Sequence, residues 1–96
     1  MKVKNINGTS DRVCKCGSWL AHWKNFSYQS APSSCPVERC NQKAELGAHV
    51  QKDSFTDSSW YIVPLCNQHN GETGKSLTIN DSVKLVSANV SSTCGK

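Results

Sequence analysis

The sequence predicts a small α+β domain of short helices and hairpins. Three observations lead there: a one-faced aromatic segment at 19–26, extended patterning at 46–50 and 61–65, and six cysteines with three histidines in 96 residues. Only 36% of the residues are hydrophobic and the mean hydropathy is −0.52, whereas a chain of this size buries only about 60–65% of the surface its unfolded state exposes. So lean a core needs disulfides or a structural metal.

Compartment decides between the two. The N-terminal MKVKNINGTS has neither an apolar h-region nor a small-residue cleavage pattern, and no run approaches the roughly 20 apolar residues of a membrane span. The expected location is cytoplasmic, with no membrane partner, and there clustered thiols bind metal more readily than they pair. A disulfide framework is the alternative. Net charge is +4 with pI near 8.8, which suits DNA or RNA as a partner. The lysines are scattered instead of striped, so charge alone raises nucleic acid only slightly above a solvated surface.

One domain, 1–96, is expected, with residues 1–12 a polar, flexible leader and residues 13–34 and 76–96 elaborations on a core at 35–75. Cys14-Lys15-Cys16-Gly17 reads as a tight turn. Ser18 then caps a short helix whose Trp19, Leu20, Trp23 and Phe26 share one face, better explained as core than as a binding platform. Residues 29–34 are a connector. Leu46, Ala48 and Val50 alternate with Glu45, Gly47 and His49, a period of two that predicts a half-buried strand with His49 opposite the apolar set. Tyr61 to Leu65 is strand-like until Pro64, which cannot donate to a ladder and so ends it. Cys66 begins a helix that Gly71 and Gly74 limit to a turn or two. The tail reads as a hairpin, or as two extended pieces, around the polar turn Asn80-Asp81-Ser82.

The strongest chemical signal is Cys35-x4-Cys40 with Cys66-x2-His69. Tetrahedral Zn²⁺ takes thiolate and imidazole ligands, commonly as two short-spaced pairs, one on a turn and one on the first turn of a helix. Buried free thiols are the plain alternative for Cys35 and Cys40. Cys14, Cys16 and Cys94 come from opposite ends of the chain, and with His22, or His49, as fourth ligand they would make a second zinc site. An oxidisable or simply buried cluster is the other reading. Gly74-Lys75-Ser76 imitates the end of a phosphate-binding loop, but that pattern needs glycine where His69 stands.

A cysteine pair, an alternating strand ending in Ala48-His49-Val50, a loop, and then Val63-Pro64-Leu65-Cys66-x-x-His69-Asn70 resembles the HNH endonucleases, the zinc-stabilised treble-clef members of the His-Me finger group. The resemblance covers roughly residues 35–75. It implies a treble-clef, ββα-metal type fold, with Cys35, Cys40, Cys66 and His69 on the structural zinc. It further implies His49 as the general base that activates water and Asn70 as a ligand of a catalytic Mg²⁺ or Mn²⁺. Ala48 stands where the family often keeps a metal-binding aspartate, and Tyr61 where it keeps an orienting asparagine. Mg²⁺ wants oxygen ligands, so the expectation is an HNH-like module that binds nucleic acid without robust hydrolysis. A divergent nuclease, and a protein-interaction or regulatory module of phage or mobile-element origin, are the alternatives.

Overall fold

The structure, a computed structural model, describes residues 1–6, 18–30, 32–53, 59–72 and 74–89. Five strands form one antiparallel sheet: β1 (Lys2–Asn5), β2 (Leu46–Lys52), β3 (Trp60–Leu65), β4 (Ser76–Thr78) and β5 (Val86–Ser87), in the spatial order β4-β1-β2-β3-β5. Two helices, α1 (Trp19–Ser27) and α2 (Asn67–Asn70), complete the described elements. The α+β expectation therefore holds. Among the described residues no helix is long and apolar enough to cross a membrane.

The register assigns the two faces. Val3 lies opposite Leu77, Asn5 opposite Val50, and Ala48 opposite Val63, so these side chains share one face. His49 lies opposite Ile62 and Gln51 opposite Trp60, on the other. Helix α1 packs on the His49 face. Its cap is the expected one, Ser18 Oγ accepting from the Ala21 N–H at 3.0 Å. The helix buries His22, Trp23 and Ser27 with Trp19 and Phe26 against the core. Trp19, Leu20 and Phe26 are all half-buried, but only Trp19 and Phe26 pack against the core, because the face turned to the sheet is the 19-22-23-26 row and Leu20 lies off it.

Close approach of α1 depends on Gly47. A Cβ at that position would stand 2.4 Å from the Trp19 carbonyl carbon and 2.5 Å from the Leu20 nitrogen. The opposite face carries α2, held there by Asn5, and Ala48, His49 and Val50 are all buried, so β2 is buried from both sides, whereas the alternation predicted a half-buried strand. His49 does point away from Ala48 and Val50, yet it is only 5% exposed.

Other expectations are corrected. Residues 2–5, assigned to a flexible leader, form β1 inside the sheet with Val3 fully buried. A four-residue strand carrying one apolar side chain has too short an alternation to read. Residues 7–12 lie outside the described residues. Strand β3 continues through Pro64 to Leu65. β5 pairs only with Tyr61 and Ile62, so at Pro64 one flank of β3 has no strand neighbour among the described residues, and there proline is tolerated. The tail adopts two extended pieces and no hairpin: β4 and β5 occupy opposite edges of the sheet. The polar turn between them is closed by Asn80 Oδ1, which accepts from the Ser82 N–H at 3.0 Å.

Candidate metal centre

The site is built on the face away from α1. The turn 35–40 is closed by the Cys40 N–H donating to the Val37 carbonyl at 3.0 Å, and Arg39 adopts φ 65° to complete it. The Cys35 N–H donates to Gln42 O at 2.7 Å, which folds the chain after the turn back alongside it. The turn is also tied to the end of β4: Glu38 N–H donates to Thr78 O at 2.8 Å, and Val37 bridges Ile79. The second ligand pair follows from the end of β3. Cys66 is the N-cap of α2, and its sulfur accepts from the His69 N–H at 3.5 Å. Capping thus points the sulfur and the His69 ring to the same side of one short turn.

These two turns bring Cys35, Cys40, Cys66 and His69 together, all four ligand atoms lying within 4.8 Å of one another. The His69 Nδ1 is 3.6 Å from Cys35 Sγ and 3.2 Å from Cys66 Sγ, and Cys40 Sγ is 3.9 Å from Cys66 Sγ. Metal–ligand bonds of about 2.3 Å to sulfur and 2.0–2.1 Å to nitrogen give tetrahedron edges of about 3.6–3.8 Å. The 3.6 Å and 3.9 Å separations match that figure and the 3.2 Å one is shorter; sulfurs at 3.9 Å are thiols, not a disulfide. Three thiols and an imidazole form a borderline-soft donor set, so the cluster is compatible with a bound metal such as zinc. Cys35 and Cys66 are buried, whereas Cys40 and His69 reach a shallow opening rimmed by Arg39, Asn41 and Gln68.

Electrostatics distinguish the two buried sulfurs. Burial pushes the Cys35 thiol up to about 11, despite N–H contacts from Val37 and Cys66 that favour its thiolate. At Cys66 burial acts in the same direction, but the His69 and Gln68 N–H groups and the Cys35 and Cys40 thiols outweigh it and bring the group below its ordinary value. Of these two, Cys66 ionises before Cys35. A cation bound among the four would stabilise the remaining thiolates.

One contributor had no signal in the sequence. Asn5 is buried, and its Nδ2 donates to both the His69 carbonyl at 2.9 Å and the Asn70 carbonyl at 2.7 Å. It therefore fixes the C-terminal end of α2, whose last carbonyls have no partner within the helix. Nothing local to KVKN marks that asparagine, because its partners lie more than sixty residues away.

The other candidates fall elsewhere. His49 and Asn70 are not brought together: Val50 shares the face of Asn5 and α2, and His49 packs on the other against Trp19, ring centroids 4.6 Å apart, and Trp60, 6.3 Å apart. His22, proposed for a second zinc, is fully buried with Nε2 2.9 Å from the Ser87 carbonyl. A carbonyl only accepts, so Nε2 carries the hydrogen there. Its expected co-ligands Cys14, Cys16 and Cys94 lie outside the described residues. Comparison of the chain with protein-family models, with curated proteins and with solved structures gives no match.

Proposed function

We propose that this chain is a zinc-stapled, treble-clef-type module that binds nucleic acid and does not hydrolyse it. The zinc part rests on the cluster: a turn supplies Cys35 and Cys40, a hairpin of β2 and β3 follows, and the start of the next helix supplies Cys66 and His69. That order of turn, hairpin and helix supports a treble clef. When bound, the ion would neutralise the thiolates and lock the turn to α2, a structural task that leaves no position open for substrate.

The observation that carries the reading away from catalysis is the separation of His49 from Asn70 by the thickness of the sheet. A general base must come within hydrogen-bond reach of the attacking water, with a metal beside the scissile phosphate. His49 is enclosed by Trp19 and Trp60, on the face opposite α2. Hydrolysis would require α1 to lift. The nucleic-acid part rests on the net charge of +4 and on exposed lysines on several elements.

Metal analysis of the purified chain tests the first part: zinc should copurify, and His69→Ala should lose the ion held by this cluster. Gel-shift and plasmid-nicking assays with Mg²⁺ and Mn²⁺ test the second. Retardation that weakens with salt, without cleavage, is expected. Cleavage abolished by His49→Ala in a folded, zinc-loaded variant would replace this reading with the nuclease.

A further inference from the structure

We infer that Tyr28, with Lys24 and Lys84 beside it, is a contact surface for single-stranded nucleic acid, the ring serving as a platform on which a base stacks. The inference rests on the nucleic-acid reading above and assigns it a place.

Tyr28 is an outlier twice over. It terminates α1 in the left-handed conformation, φ 58° and ψ 29°, where helices ordinarily use glycine or asparagine. It is also 87% exposed, the one large hydrophobic side chain so displayed among the described residues. Neither backbone preference nor burial accounts for a tyrosine there. A residue held in a sparsely populated conformation against both is a reason to look for function.

The surroundings hold it rigidly. The next residue, Gln29, clasps the chain before β5: its Nε2 donates to Ser82 O at 2.9 Å and its Oε1 accepts from the Lys84 N–H at 3.1 Å. Gln29 N–H donates to Ser27 Oγ at 3.1 Å, and Ser27 is fully buried. On the other side of the clasp, Trp23 Nε1 donates to Lys84 O at 2.8 Å. The Tyr28 backbone is therefore pinned on both flanks, so a base that stacks on the ring need not order the chain that carries it.

Charge selects the occupant. Lys24 lies one helical turn before Tyr28, and the clasp brings the Lys84 backbone alongside. Neither segment 18–30 nor segment 82–89 contains an aspartate or glutamate, and Asp81, just before the second, is already paired with the Met1 ammonium at 2.6 Å. Two exposed lysines on the segments that carry and clasp the displayed ring suit a chain of phosphates whose bases are free to stack. Single strands present those faces and duplexes do not.

The test uses the full zinc-loaded chain and fluorescein-labelled oligothymidylate and oligouridylate, read by anisotropy across a salt series. Tyr28→Gly removes the ring while relieving the left-handed backbone, so misfolding cannot explain a loss. Binding should fall by about tenfold, the effect of removing one base-stacking aromatic, while the melting temperature rises. Tyr28→Trp should keep the affinity. Lys24→Ala and Lys84→Ala should each reduce the slope of log affinity against log salt by about one. If wild type binds and Tyr28→Gly binds equally well, the surface is overturned while the nucleic-acid reading survives. If wild type binds neither strand at low salt, that reading falls and this inference with it, leaving the ring as a contact for a protein.

Discussion

At the scale of single residues, the metal centre is governed by which proton each sulfur keeps. Cys35, pushed up to about 11 by burial, holds its proton throughout the physiological range in the metal-free fold. Metal binds the thiolate, so the ion must displace that proton. Because the group titrates high, falling pH favours the thiol and releases metal, and rising pH favours the loaded form until about pH 11. Zinc affinity should thus increase by at least about tenfold per pH unit from this one displaced proton. Chelator competition at pH 6.5 and 7.5, set as assay conditions, measures it, and a flat response would exclude Cys35 as a ligand. Asn5 gives a second prediction. Asn5→Ala removes the side-chain donor of two part-buried carbonyls, of which the His69 carbonyl keeps the Glu72 N–H at 3.2 Å, an effect of about 1 kcal/mol, to be seen as a lower denaturation midpoint with the metal content unchanged.

At the scale of elements, the contact between α1 and β2 is set by an absent side chain. With a Cβ only 2.4 Å from the Trp19 carbonyl carbon, Gly47→Ala requires α1 or β2 to move, since the obstruction is backbone and not the end of a flexible chain. Overpacking of this kind costs about 1–3 kcal/mol or more. Chemical denaturation should show it as a shifted midpoint with an unchanged slope. A wild-type midpoint would mean the helix sits farther from the strand. Two neighbouring elements depend on long-range contacts in the same way. β1 is held between β2 and β4, and α2, a single turn, is too short to be stable alone; it is positioned by Cys66, Asn5 and the cluster.

At the scale of the whole molecule, the metal centre joins parts that are distant in sequence. The 35–40 turn is tied to β4, α2 follows β3, and Asn5 of β1 reaches α2, so the four donors close a circuit through most of the sheet. A structural zinc, were it the ion held there, would contribute on the scale of the about 10–16 kcal/mol of binding energy seen in isolated zinc modules, as much as the 5–15 kcal/mol net stability of an entire domain. Stripping the ion with a chelator should therefore abolish the cooperative thermal transition, followed by near-ultraviolet circular dichroism of the tryptophans, and added Zn²⁺ should restore it. A metal-free chain with an unaltered transition would show that the sheet and α1 stand without the cluster.

The sequence alone determined what local chemistry controls. The two donor pairs were legible because metal ligation favours short spacings, the α1 cap because Ser18 meets its partner three residues on, and the strand alternation because pleating has a period of two. Only the tertiary structure decided what depends on neighbours far along the chain. Lys2–Asn5 becomes a strand because β2 and β4 supply its hydrogen bonds. Asn5 matters because α2 ends above it, and Gly47 because α1 lies against it. The pattern placed His49 on its own face of β2, yet which layer covers that face is not written in the alternation. It was settled by the packing of Trp19 and Trp60, which puts the sheet between His49 and Asn70.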